Sequence, residues 1–178
     1  MLTRTRIVAL LLLAGMLAAG AAVPGTALAE DDLFLNLGDI VGGSTDAHHS
    51  GEIVLLSYSQ SFTQLASAGG NCGPITVMKL IDKSSPALIG AVLLGQHTPK
   101  AVITFRKPGT AFEYYKVTLR DVLIQSITQS DRSPDTIVEQ VTLVSTVIMF
   151  TYFVPSAATG AIDSTVTFRW NCKNNTPG

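Results

Sequence analysis

The segment 80–95 constrains the fold more than any other part of the chain. It reads L-I-D-K-S-S-P-A-L-I-G-A-V-L-L-G. Ser84 and Ser85 carry hydroxyl oxygens that can accept hydrogen bonds from the free N–H groups of a first helical turn. Pro86 suits the first helical position. We therefore predict one short helix over 86–94.

This helix has no polar face. Leu88, Ile89 and Val92 are joined by further apolar residues around the whole circumference. Gly95 suits the left-handed conformation at a helix end. Because a helix that is hydrophobic on all sides is normally buried, we expect strands to wrap or cap it.

Three strands are predicted before the helix. The first follows Leu33, Leu35 and Leu37, whose alternation has the two-residue period of a half-buried strand. The second spans 52–62, and the third runs from Ile75 towards the helix. Two glycine-rich loops are expected between them, at 42–51 and 66–73.

Strands are also predicted after the helix. The alternating pattern covers 101–105, 112–127, 136–154 and 164–170, with a break at 130–135. In the last of these, Val166, Phe168 and Trp170 are expected to point inward. The strand over 136–154 is apolar on both faces towards its C-terminal half, so its second face requires a second layer or a neighbouring subunit.

The order of these elements predicts the fold class. Seven or eight strands, with one helix between strands three and four, indicate a mainly β protein. We expect an antiparallel sheet that curves into a barrel, with the helix at one end.

The N-terminal segment has the pattern of a secretory signal peptide. Arg4 and Arg6 precede an apolar run over 7–17, and Ala27-Leu28-Ala29 forms an A-x-A cleavage site. The alternative is a retained membrane anchor, but the apolar run is shorter than the roughly 20 residues of a spanning helix. We expect a signal peptide over 1–29, one domain over 30–178, and a secreted or periplasmic protein without stable membrane insertion.

Charge argues against nucleic-acid binding. Residues 30–178 carry all 13 acidic residues and all but two of the 12 basic ones, which makes this part mildly acidic. The basic residues form no run longer than two and are expected at solvated strand and turn positions. A chain of this kind lacks the basic patch that nucleic acid or an anionic membrane would require.

Two cysteines, Cys72 and Cys172, are separated by 100 positions. In an exported chain the expected fate of two thiols is one structural disulfide. The spacing differs from the C-x-x-C of catalytic dithiols, and no further metal ligand is adjacent to either residue. The alternative of two free buried thiols stays open, because sequence does not place their side chains.

An enzymatic function would have to use Asp46, His48, His49 and His97. Adjacent histidines in a Gly/Ser loop match neither a helical H-x-x-x-H pair nor another common metal-ligand spacing. The sequence also lacks G-x-S-x-G and a Gly-rich phosphate loop. We therefore predict a solvated histidine loop, and no catalytic, cofactor-binding or metal-binding residues.

Six segments, in order along the chain, resemble the Hcp family, the haemolysin-coregulated proteins of type VI secretion. They are L-F-L at 33–35, H-S-G-E-I-V-L-L at 49–56, K-L-I-D-K-S-S-P-A-L at 79–88, A-V-I-T-F-R-K at 101–107, Y-K-V-T-L-R-D-V-L at 115–123 and F-R-W at 168–170. The I-D-K-S-S-P segment is the most specific. The resemblance implies a two-sheet β-barrel with a short helix that assembles into hexameric rings and hollow tubes, without catalytic residues or cofactor.

Two features differ from the family pattern. Tube-forming Hcp proteins lack a cleavable signal, and the predicted loop at 65–73 is shorter than the family's long glycine-rich arm. We therefore expect rings that stack poorly, with other secretion components or a lumen cargo as further partners. A monomeric secreted binding module and a hydrolase that uses the histidine loop are the alternatives.

Overall fold

The computed structural model describes residues 31–65, 69–133 and 136–178, so the predicted signal peptide lies outside the described residues. Within these ranges the chain forms nine strands and one helix, α1 (Ser85–Leu94). The strands are β1 (Asp32–Leu37), β2 (Ile53–Leu55), β3 (Ser57–Leu65), β4 (Gly69–Leu80), β5 (His97–Arg106), β6 (Glu113–Ser133), β7 (Thr136–Pro155), β8 (Ile162–Asn171) and β9 (Thr176–Pro177). The mainly β class is confirmed.

All strand pairs are antiparallel; seven strands follow the order β2-β1-β5-β6-β7-β4-β3, and β8 branches from β7 and pairs with β9. One edge of β7 pairs with β6, whereas its other edge pairs with β4 up to Leu143 and with β8 from Val147 onward. The two outermost strands of this order, β2 and β3, are consecutive in sequence and meet at Leu56, whose N–H donates to Met78 O at 2.7 Å. The sheet is therefore strongly curved, although the described pairing does not close it.

The core lies inside this curved sheet. Helix α1 contributes Leu88 and Ala91, and the strands contribute the other buried aliphatic side chains. These include Leu35, Leu37, Ile53, Leu55, Ile75, Val77, Ile103, Val117, Leu119, Val122, Ile124, Val141, Leu143 and Ile148. Among the described residues, no helix is long and apolar enough to cross a membrane.

Strands β6 and β7 change their inner face midway. In β6, Leu119 is buried before Asp121, and Val122 is buried after it. Asp121 has a φ of 53°, in the left-handed region where aspartate is better tolerated than most residues. In the neighbouring strand β7, the buried side chains likewise change from odd to even positions between Leu143 and Ile148. The apolar pattern on both faces of β7 therefore partly reflects this switch.

The predicted helix is confirmed, and it ends at Gly95 with a φ of 60°. The expectation that it is buried on all sides is wrong, because Leu93 and Leu94 are 79% and 72% exposed. The expected serine cap is also wrong, since no side chain caps the helix at Ser84. The Ser84 hydroxyl donates to Asp82 at 2.5 Å instead.

Three strand-level expectations need correction. The second predicted strand is divided at Leu56 into β2 and β3, so the helix follows the fourth strand. Most of the predicted loop 66–73 belongs to β4, because its glycine-rich residues pair with β3 in a hairpin. The prediction that rings stack poorly rests on a short loop at 65–73. Because most of that segment is strand, this argument for poor stacking no longer holds. In β8, Val166 and Phe168 are exposed, so the expectation that they point inward is wrong for them, whereas Trp170 packs against the core.

Candidate functional site

The segment before α1 is held by a buried polar network. Lys79 and Glu139 are almost completely buried, and Lys79 Nζ lies 2.6 Å from Glu139 Oε2. Lys79 also contacts Asp82 Oδ1 at 2.9 Å and Ser85 Oγ at 3.1 Å. Gln129 donates to the other Glu139 oxygen at 2.8 Å. These bonds fix the I-D-K-S-S-P segment between β4 and the helix.

This network changes the pKa of its carboxyl groups. Burial raises the pKa of Glu139, but hydrogen bonds from Lys79, Ser85 and Gln129 outweigh burial, and the pKa lies below its usual range. The pKa of Asp82 is also lowered, again against the effect of burial, by hydrogen bonds that include those from Ser84 and Lys79. Both groups are therefore held as carboxylates, which suits a structural ion-pair network.

A second cluster anchors the loop 42–51 to the sheet. Arg106 donates to Asp46 at 2.7 Å and to Asp32 at 3.0 Å, and its guanidinium lies 4.8 Å from the Phe34 ring centre. The hydrogen bond from Arg106 lowers the pKa of Asp46, and the same pairing raises the pKa of Arg106. Asp46 is therefore a carboxylate paired with Arg106 and is not a free acid or base.

The histidines do not form one catalytic or metal site. His49 is buried, stacks on Phe34 at 4.1 Å and lies between Glu52 at 3.0 Å and Glu113 at 3.2 Å, so the expectation of a solvated position is wrong for it. His97 contacts Asp121 instead, at 2.7 Å. Across the described ranges, no group of three His, Cys, Asp or Glu residues is arranged to hold a metal ion.

One exposed apolar surface lies on the helix. This helix surface consists of Ile89, Leu93 and Leu94. Val92 and Ile127 border it. Its exposure follows from the sequence, because a helix that is apolar on all sides cannot turn every face towards a single sheet.

A second exposed apolar surface lies between the β3–β4 hairpin and β8. This aromatic cleft has a volume of about 510 Å³ and is lined by Phe62, Tyr115, Phe150, Phe168 and Trp170. The Phe62 and Phe150 rings meet edge to face, with centres 5.5 Å apart. Phe62 and Phe168 are 56% and 54% exposed, so the cleft opens to solvent.

The expected disulfide is present beside this cleft. Cys72 in β4 is bonded to Cys172, which follows β8, with Cα atoms 5.7 Å apart. The disulfide therefore joins the hairpin to the end of β8, and the alternative of two free thiols is not what the structure shows.

Comparison with known proteins decides the family. The sequence profile described as "Type VI secretion system effector, Hcp" matches residues 34–152. The chain belongs to the Hcp family. Members of this family are structural, secreted proteins of type VI secretion that assemble into rings, and they are not enzymes.

Individual Hcp proteins support this assignment. Protein hcp1 of Pseudomonas aeruginosa is 36% identical over 157 residues, which cover 81% of this chain and 96% of that protein. The crystal structure of Hcp1 from Salmonella typhimurium is 26% identical, covers 83% of this chain and 99% of its own, and superposes with a TM-score of 0.69. A further type six secretion system protein has a TM-score of 0.75 at 20% identity, which supports the fold alone.

Sequence reasoning does not find the two exposed apolar surfaces. The apolar helix was identified but placed inside, and Phe168 was assigned to the core. The buried polar pairs were also missed, because Lys79 and Glu139 are 60 positions apart. The exposed aromatic side chains are the signal that could have indicated an interface.

Proposed function

We propose that residues 30–178 form a single Hcp domain that is exported through the signal peptide at 1–29 and assembles into closed, hexameric rings. The proposal assigns this domain no catalytic, cofactor-binding or metal-binding residue. Its cargo is a molecule held in the lumen of the ring. The pair of exposed apolar surfaces, together with family membership, supports the proposal.

The positions of the two surfaces favour a head-to-tail contact. The helix surface follows the Leu80 end of β4, whereas the aromatic cleft borders the Gly70 end. Two different surfaces that contact each other on successive copies form a ring when the rotation closes. Burial of Leu93 and Leu94 in the aromatic cleft of a neighbour would remove both exposed patches from water, which is favourable by roughly 25 cal/mol per Å² of apolar surface.

Light scattering after size exclusion tests the ring. The wild-type protein is expected at six times the mass of one chain, and Leu93→Glu at the mass of one chain, because a carboxylate cannot be buried unpaired in an apolar contact. Gln96→Glu is the matched control, since it adds the same charge to an exposed position next to the helix end. It should leave the ring intact.

Mixing two variants tests the head-to-tail arrangement. Leu93→Glu keeps an intact cleft and Phe168→Glu keeps an intact helix surface, so an equal mixture should form pairs of chains and no rings. If the mixture keeps the mass of one chain, the helix surface and the aromatic cleft do not contact each other. A wild-type protein that is a single chain at tens of micromolar would reject the ring and favour a monomeric binding module whose ligand occupies the aromatic cleft.

A further inference from the structure

The disulfide lies where two strands part from each other. Strand β4 pairs with β7 only from Ile75 to Leu80, and β8 takes the same edge of β7 from Val147 onward. Cys72 lies three positions before Ile75, and Cys172 directly follows the end of β8. The disulfide therefore bridges the fork between β4 and β8.

The two arms of this fork are the walls of the aromatic cleft. The hairpin wall presents Phe62, and the β8 wall presents Phe168 and Trp170. A β-carbon on Gly70 would lie 3.5 Å from the Trp170 ring, so the hairpin backbone passes close to that ring. The width of the cleft therefore depends on the distance that the disulfide sets between the walls.

Within the described ranges, each wall is paired with its own neighbour, β4 with β3 and β8 with β7, but no strand pairing joins the two walls to each other. Among the described residues, the part of β4 before Ile75 has strand partners only in β3. Strand β8 is exposed along almost its whole length, and within the described part of the chain its second edge pairs only with the two-residue strand β9. Segments with many exposed backbone hydrogen bonds and few buried contacts open at low free energy.

We propose that the Cys72–Cys172 disulfide is a redox-sensitive clasp that keeps the aromatic cleft in the shape that accepts a neighbouring copy. The oxidised chain self-associates, and a dithiol releases it to single chains. The proposal rests on the proposed ring, in which this cleft is one of the two contact surfaces.

The chemistry is ordinary thiol–disulfide exchange. A thiolate of the dithiol attacks one protein sulfur, the protein S–S bond breaks, and a mixed disulfide forms. The second thiol of the reductant resolves it, so that the reductant becomes a disulfide and both protein sulfurs gain protons. Two electrons pass from the dithiol to the protein. Both cysteines line an open surface cleft of about 320 Å³, together with His97, Asp121 and Lys173, which gives a small dithiol access to the bond.

Trp170 reports on the clasp directly, because it is the only tryptophan of the chain and lines the cleft. Protein produced from the full coding sequence is measured with and without dithiothreitol, while a thiol count confirms two free thiols after reduction. We expect a red shift of the Trp170 emission and a severalfold rise in acrylamide quenching. The light-scattering mass should fall to one chain, and the far-UV circular dichroism of the sheet should be retained.

Three results would overturn the clasp. They are unchanged Trp170 quenching after full reduction, unchanged ring mass after full reduction of a ring-forming protein, and global loss of the β signal, which would assign the disulfide to the stability of the whole fold. The double variant Cys72→Ser/Cys172→Ser should reproduce the reduced state and should not respond to dithiothreitol. If the oxidised protein is itself a single chain, the ring proposal fails. The emission and quenching of Trp170 then test whether the disulfide holds the cleft.

Discussion

Partners that are distant in sequence decide which charged residues of this chain are buried. The sequence pattern predicts solvated positions for the lysines and arginines of 30–178, yet Lys79 and Arg106 are buried. Lys79 is neutralised by Glu139 and Arg106 by Asp46, each 60 positions away. No local pattern shows such pairs, because alternation reports which face a residue occupies and not which charge lies opposite.

Replacing Lys79 tests the buried network. Lys79→Met leaves the buried Glu139 without its main counter-charge, and the free energy of unfolding should fall by about 3–5 kcal/mol. Urea denaturation measures this change. Lys83→Met removes an exposed lysine four positions away and is the control, with almost no expected effect. Equal losses in the two variants would contradict the assigned role.

The same pair predicts a pH dependence. The pKa of Glu139 in the folded protein lies below its usual value of 4.5, so its contribution to stability is complete above that pH and is lost as the pH falls through the lowered pKa. In Lys79→Met, the hydrogen bond that contributes most to lowering the pKa of Glu139 is absent. The difference in free energy of unfolding between wild type and variant should therefore be largest at neutral pH and shrink below pH 4.5. A constant difference across an acid titration would refute this.

At the scale of elements, sequence predicted most of the strands, the helix and its end at Gly95, because these depend on local alternation and on one left-handed glycine. Prediction from sequence failed where pairing with a neighbouring strand overrides the local amino-acid composition. The glycine-rich start of β4 is a strand because β3 supplies its partners. The change of inner face in β6 was also invisible, since it depends on the single backbone conformation at Asp121.

Substitutions at Asp121 test that change of face. A valine is strained at a φ of 53°, whereas asparagine tolerates the left-handed region, so Asp121→Val should lower the denaturation midpoint more than Asp121→Asn. The carboxylate also accepts hydrogen bonds from the Thr146 hydroxyl and pairs with His97, and an asparagine amide keeps an oxygen acceptor there. If both variants unfold at the same urea concentration, backbone strain at this position does not matter.

For the whole molecule, the order of the alternating segments predicts the mainly β fold, and six short segments predict the family. They could not predict the surface of the molecule, since a sequence does not show where a curved sheet leaves its inner face uncovered. The aromatic cleft arises because β8 extends along β7 beyond the residues that pair with β4. The proposed self-association therefore depends on how the strands are assembled in the sheet and not on any one strand.

The proposed signal peptide fixes where the exported chain should begin. The A-x-A pattern at Ala27-Leu28-Ala29 predicts that signal peptidase cleaves before Glu30. Intact-mass spectrometry of protein from the periplasm or the medium should then show a chain that begins at Glu30 and is two mass units lighter than its reduced form, because the disulfide forms in an oxidising compartment. Ala29→Leu is the matched variant, since it replaces the small residue next to the cleavage site. It should accumulate uncleaved protein in the membrane fraction, whereas exported wild-type protein that retains Met1 would reject the signal peptide.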